Sequence, residues 1–290
     1  MNANPPSVDA GVLFTPLALQ PYRPDEHERA ALLRLSKAHG PGERLAAVLA
    51  LLLTAGSARE RQAWAEETEG LACAAEMRAT VRKLSGPARV PAWERLLRES
   101  ARAPLAERRA MVASARRVMS ADGQIRPLDR LRWLVMRHLL AEPAERGSSG
   151  VGPGGTDGGV VALPDGRRRD LASLTAFLAR LVPAADPQAV VGAAGAEWYR
   201  SVVTPWWPGE AAPPCTVPDI DGLAHAIWGA QELPWMLRPQ VVRVWVHEAA
   251  VMGERGRLEP EAAEALRLVC VLLDTPMPPA LSACFARWDD

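Results

Sequence analysis

Apolar residues recur at three- and four-residue intervals along almost the whole chain, and that period restricts it to helices. From Leu105, the positions Val112, Ala115 and Met119 form one stripe, and Leu128, Leu131, Val135 and Leu139 form another. Sustained alternation of the β type, framed by tight hairpin turns, is absent. The expected fold is all-α: two related helical blocks joined by a Gly-rich linker.

Punctuation divides the chain into four parts. Residues 1–24 carry five prolines and read as an extended lead-in, without the basic start and apolar core of a signal peptide. The first block covers residues 25–143. Asp25 can cap a helix carrying Ala31, Leu32 and Leu35, and Gly40-Pro41-Gly42 separates it from the apolar helix Leu45–Leu53. Arg59 to Leu84 reads as one or two helices, and Ser85-Gly86-Pro87 breaks the pattern. Residues 144–170 are the linker: Gly147 to Gly159 holds seven glycines and no writable helix, and Arg167-Arg168-Arg169 follows it. It lacks the pattern of a phosphate-binding loop. The second block, residues 171–290, starts with the face Leu171, Leu174, Leu178 and Leu181, stopped by Pro183. It continues through a Pro/Trp-rich loop (Pro205–Pro218) to helices over Arg238–Met252 and Pro260–Leu273, with no further helix expected across Pro276–Pro279.

Charge narrows the function. Lys+Arg and Asp+Glu each number 34, so the chain is neutral, which argues against a generic binder of nucleic acid or membrane while leaving local patches open. The Leu45–Leu53 run is far shorter than the roughly 20 residues a transmembrane helix needs. Cys73, Cys215, Cys270 and Cys284 form no CxxC pair and have no His at zinc-finger spacing, so they read as reduced structural thiols of a cytoplasmic protein. Lysine occurs only at Lys37 and Lys83, which reflects codon usage more than chemistry. Most of the ten tryptophans, such as Trp133 and Trp245, fall at helix-core positions.

A shift of 133 residues superposes part of the second block on the first. Val118, Met119, Gly123, Pro127, Leu139, Leu140 and Pro143 fall on Val251, Met252, Gly256, Pro260, Leu272, Leu273 and Pro276. Both windows read helix, Gly-x-[Ile/Leu]-x-Pro, helix. Gly suits a left-handed C-cap, Ile125 or Leu258 can plug the hairpin, and Pro starts the second helix. Such hairpins bury their apolar faces only against neighbours, as duplicated helical domains do.

The segment Ser120-Ala-Asp-Gly-Gln-Ile-Arg-Pro-Leu-Asp129 resembles the Asp-Gly turn of TerB-like helical domains. The order of segments is similar to the cytoplasmic C-terminal region of bacterial M48-family membrane metallopeptidases: the apolar Leu45–Leu53 helix, the turn, and a tail here written Leu272-Leu273-Asp274-Thr275-Pro276-Met277-Pro278-Pro279. The resemblance covers roughly residues 45–140 and 220–285. It implies a helical module without the peptidase half, because the HExxH zinc motif is missing: His247-Glu248 begins like one, but Val251 stands where the second ligand belongs. The turn acids of that family are also eroded. Asp129 replaces Glu, and Arg255 and Ala262 replace both acids of the second turn, leaving Asp122 and Asp129 with Arg126 and Arg130 beside them. That is a poor offer to a hard cation, and Asp122 reads as a turn cap.

No residue set points to catalysis. The histidines are scattered and no nucleophile motif occurs, so no enzyme activity, cofactor or metal is expected. Two surfaces remain. Arg102 to Arg137 holds nine arginines against three acids, while Pro205 to Asp290 holds twelve acids against six arginines. Arg108, Arg109, Arg116 and Arg117 lie on the polar side of an amphipathic helix. With Arg167–Arg169 they fit solvated faces meeting the acidic half within the chain or in a homo-oligomer, an anionic membrane, or nucleic acid. Trp206 and Trp207, exposed-looking in the Pro-rich loop, are either anchors of that loop or partner contacts. The leading expectation is a non-catalytic interaction, adaptor or regulatory domain with a protein partner, cytoplasmic or held at the inner membrane face through that partner. The alternative is an Arg-face binder of anionic membrane or nucleic acid.

Overall fold

Helix α1 (Glu26–Ser36) begins where the sequence supplies its cap. In this computed structural model, which describes residues 21–141 and 159–287, the Asp25 carboxylate accepts from Glu28 N at 2.8 Å and Glu28 accepts from Asp25 N at 3.2 Å. The two bonds satisfy donors that a helix start leaves open. Twelve more helices follow: α2 (Pro41–Leu52), α3 (Ala58–Glu67), α4 (Ala74–Val81), α5 (Gly86–Ser100), α6 (Leu105–Met119), α7 (Pro127–Leu140), α8 (Asp165–Leu178), α9 (Ala193–Val203), α10 (Ile220–Gln231), α11 (Leu237–Met252), α12 (Pro260–Leu272) and α13 (Pro279–Ser282). No strand occurs among the described residues, so the fold is all-α. None of the described helices is long and apolar enough to cross a membrane. Residues 1–20, Glu142 to Gly158 and Trp288 to Asp290, which include most of the lead-in and of the Gly-rich stretch, lie outside the described residues.

Helix α2 is buried from Ala46 to Leu52 and takes α4, α5 and α6 around it. In the other half α8 packs along α10, and α9 along α11. The halves meet where α12 lies against α7 and, less extensively, α5, and the buried residues of both form one continuous cluster. Tryptophans tie this core through their ring nitrogens as well as their area. Trp198 Nε1 donates to Trp245 O at 3.3 Å, and Trp245 Nε1 donates to Thr175 Oγ1 at 3.1 Å. Helix α9 reaches α8 through Gly195, where an added Cβ would lie 2.0 Å from Ala179 O.

Helix α5 is hidden in the sequence, because Ser85-Gly86-Pro87 reads as a break and a second proline, Pro91, stands inside the helix. Pro87 sits in the first turn, where its missing N–H costs nothing. Pro91 leaves the carbonyl four residues earlier without its helical partner. That carbonyl, Pro87 O, accepts instead from Ala286 N at 3.1 Å. The segment after α13 thus completes a helix that lies almost 200 positions earlier in the chain.

The two matched hairpins are α6–α7 and α11–α12. Both second helices start at proline, Pro127 and Pro260, and Gly123 and Gly256 both adopt left-handed φ, at +78° and +72°. Two details differ from the expectation. The left-handed glycines sit inside the turn, after the caps Ser120 and Gly253. Ile125 does not plug its hairpin: it is 58% exposed, because the turn Asp122–Arg126 is closed by polar bonds, while Leu258 is half-buried against the core.

Candidate functional site

The side-by-side packing of α7 and α12 brings their N-terminal ends together beside the start of α5. There the surface opens into a cleft of about 810 Å³, floored by Val90, Leu128 and Ala263 and lipped by the turn Arg255–Leu258. A second, polar cavity of about 290 Å³ adjoins it, and the two share Gly86, Val90, Leu128, Glu261 and Glu264.

Six charged side chains line the inner cavity. Arg132 on α7 donates from Nε to Glu264 Oε1 on α12 at 2.7 Å, and from Nη1 to Asp129 Oδ1 at 3.3 Å. Asp129 also accepts from Arg126 N at 3.3 Å. Arg126 Nη1 donates to Thr54 Oγ1 at 2.9 Å, and Arg89 Nη2 donates to the carbonyls of Ala50, Leu51 and Leu53 that end α2. Burial holds Asp129 above the usual range of its carboxyl group. Burial, and then the neighbouring Glu264 charge, raise Glu261 as well. Trp93 lines the same wall, and its buried Nε1 has no hydrogen-bond partner among the described residues. At the lip, Arg255 takes φ +56° without being glycine, a strained conformation that costs on the order of 1 kcal/mol.

The opposite edge of the cleft is built from sequence-distant pieces. Tyr22 N donates to Ala283 O at 2.8 Å, and the Tyr22 hydroxyl bonds Glu28 and Ser85. Phe285 packs its ring under the Arg267 guanidinium, 4.6 Å from the centroid.

The residues singled out by sequence fall elsewhere. Trp206 and Trp207 are not exposed: each is 5% accessible, in the core cluster. Arg168 explains it, lying 5.1 Å over the Trp207 ring and donating to Trp206 O at 3.0 Å, so the indoles anchor the Pro-rich loop. The Arg167–Arg169 run belongs to the first turns of α8, where Arg167 pairs with Glu232 and Arg168 and Arg169 with Asp165. Arg117 holds Glu67 through two donors and Arg108 holds the carbonyls of Leu140 and Ala141 at the end of α7. Arg109 and Arg116 are exposed on the same α6 face. Asp122 accepts from Gln124 N at 2.9 Å, the turn cap that sequence suggested.

The described cysteines are free, with Cys270 buried and its thiol pushed up to about 12 by burial. Among the described residues no group of three or more His, Cys, Asp or Glu side chains is arranged to hold a metal ion. Sequence reasoning named Asp129 and Arg126 but missed Arg89, Trp93, Arg132, Glu261 and Glu264, whose common position depends on how α5, α7 and α12 meet. No protein-family model, curated protein or solved structure matches this chain.

Proposed function

We propose that this chain is a non-catalytic helical interaction module that receives a segment of a partner protein in the cleft at the starts of α7 and α12. The observation that carries the reading is the cleft itself. It is large enough for several side chains, it has an apolar floor, and it runs into a cavity lined by six charged side chains. An apolar anchor beside satisfied ion pairs is the arrangement that gives an interface both affinity and register. The module would be akin to the cytoplasmic C-terminal part of an M48-type membrane peptidase, with a membrane-associated partner. That part of the reading is supported by the order of segments and the Leu272–Pro279 tail. The test is site-specific photo-crosslinking in the native host, with the probe at Leu258 in the cleft and, as control, at Arg59 on α3. A discrete protein adduct formed only from position 258 supports the reading. Adducts that are absent, or equal from both positions, overturn it.

A further inference from the structure

A separate cleft lies on the outer side of the α6–α7 hairpin. It encloses about 410 Å³, within the range of small-molecule sites, and is lined by Arg108, Arg109, Arg116, Arg117, Arg137 and Trp133 together with apolar side chains such as Val112. Among the described residues no carboxylate lines it. Spacing explains the convergence: Arg109, Val112, Ala113 and Arg116 follow one face of α6, and Trp133 and Arg137 stand one turn apart on α7.

The five guanidinium groups are not equivalent. Arg117 is engaged with Glu67, which offsets one charge. Arg108 is fixed by the carbonyls of Leu140 and Ala141, and its Nε is buried with no hydrogen-bond partner among the described residues. Arg116 and Arg137 are exposed and reach the cleft from opposite helices, and Trp133, half-buried, lines the same cleft. Forked guanidinium donors suit phosphate oxygens, and an indole face suits a flat ring. A membrane surface or a nucleic-acid strand would need a broad or continuous basic track. Here the charge is gathered around one local cleft, and the arginines of α8 are already paired with acids.

From this geometry we propose that the α6–α7 cleft binds a nucleotide, with its phosphates between Arg116 and Arg137 and its base against Trp133. The site is distinct from the α7/α12 cleft and stands independently of the interaction reading. The test uses the full chain and calorimetric titration with ADP, AMP, ribose 5-phosphate and inorganic phosphate at low salt. The expected result is ADP binding that falls at least tenfold in the Arg116→Gln/Arg137→Gln variant and in Trp133→Leu, with ribose 5-phosphate at least tenfold weaker than AMP. Because Arg116 and Arg137 are exposed, the double variant keeps the test valid should Trp133→Leu fail to fold. Three results overturn the proposal: no heat with any nucleotide at millimolar concentration, equal affinity for ADP and inorganic phosphate with Trp133→Leu unchanged, or preferential binding to anionic phosphatidylserine vesicles or to single-stranded DNA that Trp133→Leu leaves intact.

Discussion

Arg267 on α12 closes on Glu94 of α5 with two charge-assisted bonds, Nε to Oε1 at 2.7 Å and Nη2 to Oε2 at 3.0 Å, and both side chains are almost wholly withdrawn from water. This pair joins residues 173 positions apart in the middle of the core. Removing one member of a buried pair leaves the other charge without compensation, typically at a cost of 3–5 kcal/mol. Glu94→Gln is therefore expected to lower unfolding stability by about 3 kcal/mol in urea titration. Glu94→Leu combined with Arg267→Met should recover most of it. A loss below about 1 kcal/mol in the single variant would show that the pair is wetter than its geometry indicates.

The tryptophans give a second, comparative test. Trp207 is buried and Trp235 is 74% exposed. Trp207→Ala should cost about 3–5 kcal/mol through the cavity it leaves. Trp235→Ala should stay within about 0.5 kcal/mol, as surface changes do. Thermal unfolding of the two variants checks the order, and the reverse order would return Trp207 to the surface.

Close backbone approach fixes a third expectation. A Cβ at Gly195 would stand 2.0 Å from Ala179 O, whereas one at Gly86 would meet nothing within 4 Å. Gly195→Ala must push α9 away from α8 and should cost at least about 1–3 kcal/mol. Gly86→Ala, at a helix start with ordinary φ, should be close to neutral. Paired denaturant midpoints at unchanged slope would read this directly.

The pH dependence follows from Asp129. Burial raises its carboxyl above the unfolded value of 3.8, so the folded chain holds a proton there more readily than the unfolded chain does. The stability this group contributes is full below the unfolded value and declines as pH rises through the folded one. Relative to Asp129→Asn, the wild type should therefore lose ground as pH is raised from about 3.8 through that window, and should hold a constant difference above it. A wild type that gained on the variant with rising pH would mean that Arg132, and not burial, controls the group.

Much of this architecture is legible from local chemistry. Asp25 and Glu28 announce a helix start, Pro127 and Pro260 open their helices, and the Leu171–Leu181 face is buried as its spacing requires. Helix α5 is not legible, because the bond that compensates Pro91 comes from Ala286, outside any local window. The same limit applies to sites. Trp206 and Trp207 sit in a Pro-rich stretch that looks exposed, and only the arrival of Arg168 from α8 reveals their burial. Likewise Trp93, Arg132 and Glu264 carry ordinary helix-pattern residues until three helices place them in one cavity.

The cleft edge made by Tyr22, Pro87 and Ala283–Ala286 also has a meaning in time. Its bonds run from Tyr22 to Ala283 and from Ala286 to Pro87. Contacts between such remote positions must close the largest loops in the chain, so they form after local helices have settled. During synthesis, α5 and α7 can assemble while this edge is still missing. It is completed only when the segment around α13 has left the ribosome and docked. The cleft at the starts of α7 and α12 is therefore the last part of this fold to take its final shape, after the helices that floor it.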